Sequence, residues 1–128
     1  AAAAAGGWGM LLAPRVENAP ARAMALGGTA LEAATFELMK RGGMTAEPYT
    51  QGRAGRLLQA ARVASGAGAA LTLLGGRSRV AAALAGTAYL TGSALTRFGI
   101  FEAGIASAKD PKYTVVPQRD RLRTSVHA

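Results

Sequence analysis

Val80-Ala81-Ala82-Ala83-Leu84-Ala85-Gly86-Thr87-Ala88-Tyr89-Leu90-Thr91-Gly92-Ser93-Ala94-Leu95 runs for sixteen residues without a charge. The run continues through Thr96-Arg97-Phe98-Gly99-Ile100-Phe101-Glu102 toward Ala108, and Asp110-Pro111 stops it. Helix formers dominate it, and it lacks the polar face that a helix on a soluble core presents to water. A bilayer core takes about 20 apolar residues at 1.5 Å rise per residue. The run reaches that length once Arg97 is included and its head group snorkels to the interface. This stretch therefore predicts an all-α chain whose helices pack in a membrane.

The rest of the chain fits around it. Gly75-Gly76-Arg77-Ser78-Arg79 is a tight basic turn. In front of it Arg56–Gly75 is a helix whose apolar part, Val63–Leu74, is interrupted by Ser65 and Thr72. The two segments together predict a helical hairpin. Met44–Gly55 reads as a polar connection around Pro48. Ala21–Met39 is helical by propensity and carries Arg22, Glu32 and Glu37. It closes in good order at Lys40-Arg41-Gly42-Gly43, with cations in the last turn and glycine after them. Two prolines and Asn18 make Pro14–Pro20 a loop, and Pro20 also suits the first turn of the next helix. Ala1–Ala13 is apolar but too short to span alone. Opening without Met or a basic leader, it reads as the cut end of a longer chain. The expectation is a polytopic transmembrane bundle fragment of three to four helices over residues 1–108, with a basic polar tail over residues 109–128.

Composition agrees with that fold. Half of the chain is hydrophobic but only 5% is aromatic, and 17 glycines accompany the alanines. Such residues bury little apolar area in a soluble core, whereas in lipid they let helix backbones approach closely. Small residues recur four apart at Ala64/Gly68, Ala82/Gly86, Ala88/Gly92, Gly99/Ala103 and Gly104/Ala108. A net charge of +8 fits nucleic-acid binding, attraction to anionic lipid, or cytoplasmic loops rich in Lys and Arg. Basic residues are not interleaved with aromatics, which counts against single-stranded nucleic acid. One reading of this composition is a small basic helical protein that binds anionic lipid or nucleic acid.

Absence of cysteine excludes disulfides, thiolate metal sites and a cysteine nucleophile. There is no nucleophile elbow, P-loop or dinucleotide fingerprint, and Gly66-Ala67-Gly68 lies inside a helical run. His127 has no second metal ligand near it in the tail, and Trp8 and Tyr89 read as packing or interface anchors. Ionisable groups at membrane depth are the sharpest candidates. Arg97 and Glu102 are five apart, about 140° around a helix, and so are poor partners for each other. Arg97 is expected to face Glu32 or Glu37 on a neighbouring helix. The functional reading of these four is a proton or quinone path; the bland reading is a snorkelling arginine and solvated glutamates. If four segments cross, Arg15, Arg22, Arg77 and Arg79 share one side. Lys40, Arg41, Arg53, Arg56, Arg62 and the tail share the richer side, predicted cytoplasmic.

The stretch Thr96 to Gly104, followed by Ser107-Ala108-Lys109-Asp110-Pro111-Lys112-Tyr113-Thr114-Val115-Val116-Pro117-Gln118-Arg119, resembles the C-terminal end of the NrfD/PsrC family. Glu47-Pro48-Tyr49, Gly52-Arg53-Ala54-Gly55-Arg56 and Gly75-Gly76-Arg77-Ser78-Arg79 are similar to that pattern too, in a form like that of high-GC actinobacteria. These are membrane subunits of polysulfide-reductase-like and formate-dehydrogenase-like complexes. The resemblance implies a multi-pass anchor in the inner (plasma) membrane. It would exchange electrons between membrane quinone and an iron–sulfur subunit that serves a molybdopterin catalytic subunit. It also implies that the quinone site lies in helices upstream of this segment, so no quinone ligand is carried over.

Overall fold

A computed structural model describes residues 1–41, 47–74 and 78–110, together with Val115 and Arg119. The regular elements among the described residues are all helical: α1 (Ala2–Leu12), a 3-10 turn (Arg15–Glu17), α2 (Ala19–Lys40), a single turn α3 (Glu47–Thr50), α4 (Gly52–Leu74) and α5 (Arg79–Lys109). The expected all-α class is therefore found. The expected connection over Met44–Gly55 is shorter than the sequence suggested, since α3 and the start of α4 occupy most of it. Gly52 makes this possible: its φ of +61° turns the chain where a side chain would be strained. The glycines after α2, most of the turn before Ser78 and the polar tail beyond Asp110, including His127, lie outside the described residues apart from Val115 and Arg119.

α4 and α5 form the antiparallel hairpin anticipated. α4 turns inward Ala54, Leu58, Ala61, Ser65, Gly68 and Thr72. These positions advance by four, three, four, three and four residues, the seven-residue rhythm of a left-handed helix pair. α5 answers with Ala85, Tyr89, Gly92, the half-buried Thr96, Gly99 and Ala103 in the same rhythm. The seam is made of small residues, with Leu58 and Tyr89 as its large members. Of the small-residue pairs read from sequence, Gly99/Ala103 is buried at both ends, whereas Gly104 and Ala108 both face outward.

α1 packs between α2 and α5 through glycine. A Cβ built on Gly6 would overlap the Ala25 backbone nitrogen and lie 2.6 Å from the Ala21 carbonyl oxygen. Gly28 meets the Ala3 backbone in the same way, so α1 and α2 run antiparallel in backbone contact. On its other side a Cβ at Gly7 would lie 3.0 Å from the Gly86 carbonyl oxygen, and one at Gly86 would lie 2.6 Å from that of Gly7. Arg79, the first residue of α5, secures the end of α1 by donating to the carbonyl oxygens of Ala13 at 2.7 Å and Leu11 at 2.8 Å. A cation there also offsets the negative end of the α1 dipole.

The outside is the reverse of the inside. Leu12, Leu31, Leu38, Val63, Leu74 and Phe101 are each more than half exposed, while the fully buried positions include Ala25 and Ala85. Among the described helices, Gly52–Leu74 is the one long and apolar enough to cross a membrane, and only 28% of its most apolar stretch is buried within the chain. That helix precedes the charge-free run of α5, which is bounded by Arg79 and Arg97.

These contacts predict opposite outcomes for two glycines on neighbouring helices. Gly6→Ala should destabilise the bundle by about 1–3 kcal/mol, the cost of forcing an atom into filled space. Gly27 has no atom within 4 Å of its would-be Cβ, so Gly27→Ala should stabilise by up to about 1 kcal/mol through helix propensity. Denaturant titration in detergent, followed by circular dichroism, measures both.

Candidate functional site

The four long helices bring their polar residues to two ends. At one end the last turns of α1 and α4 meet the first turns of α2 and α5. Arg22 of α2 donates to the carbonyl oxygen of Thr72 near the C-terminus of α4. A half-open cleft of about 610 Å³ lies there, with Asn18, Arg22, Thr72 and Ser78 as polar lining and Met10 and Leu71 among its apolar walls.

Thr72 is the hub of this end. It is 2% exposed, and its hydroxyl donates to the Gly68 carbonyl oxygen at 2.7 Å. With that proton engaged, Tyr89 donates its phenolic proton to Thr72 Oγ1 across 3.1 Å. Met10 Sδ closes the group at 3.8 Å from the same oxygen. Tyr89 is fully buried, so this bond answers the need of its hydroxyl for a partner inside the bundle.

Asn18 is different. It precedes α2 at the N-cap position but has αR backbone angles, and its side chain makes no cap hydrogen bond. It is 4% exposed, and its Oδ1 has no hydrogen-bond partner among the described residues. A buried acceptor left so costs about 1–3 kcal/mol. Two helix N-termini face this cleft, that of α2 at Asn18 and that of α5 at Ser78, whose Oγ accepts from the Ala81 amide at 3.4 Å. The N–H groups of their first turns carry partial positive charge, although Pro20 of α2 contributes none.

The four candidates from sequence lie away from the cleft. Glu37 pairs with Lys40 at 2.8 Å and Arg62 at 3.5 Å, and the Phe36 ring lies 4.5 Å from the Arg62 guanidinium. Glu102 pairs with Arg53 of α4 at 3.6 Å. Glu32 lies 3.2 Å from the α-amino group of Ala1. Arg97 is exposed and forms no ion pair among the described residues. The expected approach of Arg97 to Glu32 or Glu37 does not appear among the ion pairs of the described residues, and Glu37 meets Lys40 and Arg62 instead. These residues are not gathered into one pocket, and no quinone step is assigned to them. No group of three or more His, Asp or Glu able to hold a metal occurs among the described residues.

Sequence reading missed Asn18, Arg22 and Thr72 as a site. Each had been noticed only as an interruption, Asn18 in a loop and the others within apolar stretches. A polar side chain near the end of an apolar helix was the available signal. No protein-family model, curated protein or solved structure matches the chain.

Tyr89→Phe removes one buried hydrogen bond and little volume. It should cost about 0.5–1.5 kcal/mol. Tyr89→Ala empties the seam and should cost about 3–5 kcal/mol. A graded loss of thermal stability in detergent checks the order.

Proposed function

We propose that this chain is the membrane-anchor portion of a quinone-linked oxidoreductase complex of polysulfide-reductase-like or formate-dehydrogenase-like type. In this reading the complete subunit passes electrons between membrane quinone and an iron–sulfur partner, which serves a molybdopterin catalytic subunit. The observation that supports the membrane half is the inverted packing. Alanine and glycine fill the interior, and Leu31, Leu38, Val63, Leu74, Phe98 and Phe101 point outward. Water would expel such an exterior, while lipid accepts it, and close glycine contacts are how helices associate where lipid replaces water. The redox half rests on the resemblance of the Thr96–Arg119 motif.

In this reading α2, α4 and α5 cross the inner membrane as a multi-pass bundle and α1 packs against them. Lys40, Arg41, Arg53, Arg56 and Arg62 would mark the cytoplasmic end, with the basic tail on that side. Glu32, Glu37, Glu102 and Arg97 are then the ionisable groups available for proton movement there. The quinone headgroup site would belong to other helices of the subunit.

Fractionation of cells expressing the chain should place it in the membrane pellet, released by detergent and not by high salt or carbonate. Coexpressed with the neighbouring iron–sulfur subunit, it should copurify with it. A chain that stays monomeric in buffer without detergent would sink the membrane reading; a membrane-bound chain with no iron–sulfur partner would sink only the redox reading.

A further inference from the structure

α1 fills only part of the place it occupies. It is 11 residues long, while α2 and α5 run for 22 and 31. On α2 it covers Ala21, Ala25 and Gly28, and the Ala1 amino group stops beside Glu32. Residues 33–40 carry α2 on for about 12 Å at 1.5 Å per residue. On α5 the contact of α1 centres on Gly86, opposite Gly7. Ser93, Arg97, Ile100 and Gly104 all lie within about 40° of Gly86 around the helix axis, so they continue the same face past the end of α1. Arg97, Ile100 and Gly104 are exposed, and no atom stands within 4 Å of a would-be Cβ at Gly104. α1 holds α2 and α5 one helix apart, and beyond Ala1 that spacing leaves a slot between them. Phe36 of α2, half-buried with its ring 4.5 Å from the Arg62 guanidinium of α4, lies on the inner side of the slot.

We infer that this slot takes an apolar α-helical segment, set end to end with α1 and bearing one aspartate or glutamate against Arg97. In the proposed membrane anchor, on which this rests, the segment belongs to the rest of the subunit. The walls of the slot are the faces that α1 already packs on, which fits them to a helix. Arg97 fixes the chemistry of that helix. The antiparallel match of Gly7 with Gly86 sets Ala1 level with about residue 92 of α5, so Arg97 stands about five residues further along the slot. It forms no ion pair among the described residues, and an arginine at membrane depth calls for a carboxylate partner. A second copy of this chain suits the slot poorly, because two-fold pairing on this face sets Arg97 against Arg97.

The test uses the 128-residue chain, extracted from the membrane pellet into a neutral maltoside detergent, and two fluorescent synthetic peptides. Each peptide is a capped leucine–alanine helix of about 20 residues. One carries a glutamate about five residues before its C-terminus, at the level of Arg97, and the other a glutamine there. The glutamate peptide should bind about tenfold more tightly, the scale of a charge-assisted contact. Arg97→Gln should bring the two peptides level with helicity unchanged, and Arg97→Glu should transfer the preference to a matching lysine peptide. Gly104→Phe enters open space at the mouth of the slot, so it should weaken both peptides about tenfold while thermal stability is kept. Equal binding of the glutamate and glutamine peptides, or a folded Arg97→Gln variant that keeps the preference, overturns the inference. Displacement of the glutamate peptide by equimolar phosphatidylglycerol overturns it in favour of a lipid, and self-association of the chain that Gly104→Phe abolishes overturns it in favour of a second copy. Because the protein comes from the membrane pellet, each of these failures leaves the membrane reading standing; a chain that needs no detergent removes both.

Discussion

Between α1 and its neighbours no room exists for even a single methyl group at the crossing points. Gly6 and Gly28 hold α1 against α2, and Gly7 and Gly86 hold it against α5, in each case with backbone facing backbone. Helices this close gain dispersion contacts along their whole length and weak Cα–H···O bonds as well. The rest of the packing follows. Gly68 of α4 and Gly7 of α1 both press on Tyr89, whose ring lies 3.1 Å from a would-be Cβ at Gly68. The one large aromatic ring inside the bundle among the described residues therefore sits where two other helices have given up their side chains. Its hydroxyl reaches Thr72 for the same reason. The cleft-end polar cluster is a consequence of glycine placement.

A core of this kind has an energetic consequence. Burial of a methyl contributes far less than burial of a leucine or phenylalanine, because the gain scales with apolar area removed from water. Ala25, Ala61, Ala85 and Ala103 supply much of the buried apolar surface, and the exterior retains the larger side chains. In water the chain would gain little from collapsing and would leave its apolar exterior wet. On the membrane reading both problems vanish together, since lipid covers the exterior and helix association depends on fit alone. Fit is then the quantity that sequence changes act on, which makes the glycine contacts more consequential than any exposed leucine.

Helix existence was legible because it depends on local runs: the charge-free stretch from Val80 and the apolar stretch from Val63 each mark a helix without help from tertiary structure. Which face of a helix packs was only partly legible. Small residues four apart occur by composition alone in so alanine-rich a chain, so Gly99/Ala103 and Gly104/Ala108 look alike in sequence although only the first pair is buried. The alternating three-and-four spacing of Ala54, Leu58, Ala61, Ser65, Gly68 and Thr72 carries more information, because it keeps one face on a partner over several turns. Contacts between distant segments were not legible. Arg22 meets Thr72, and Glu102 meets Arg53, through the order in which the helices lie, which no local pattern encodes.

That order also separates two kinds of arginine chemistry. At the far end, Arg53 and Arg62 meet carboxylates, which offset their charge. At the cleft end, Arg22 and Arg79 meet the carbonyl oxygens that close α4 and α1. A carbonyl satisfies a guanidinium's hydrogen bonds but leaves its charge whole. Arg79 therefore brings its charge to the C-terminal end of α1, where the helix dipole favours a cation. The two ends thus use arginine differently, with carboxylates meeting it at the far end and helix-terminal carbonyl oxygens at the cleft end.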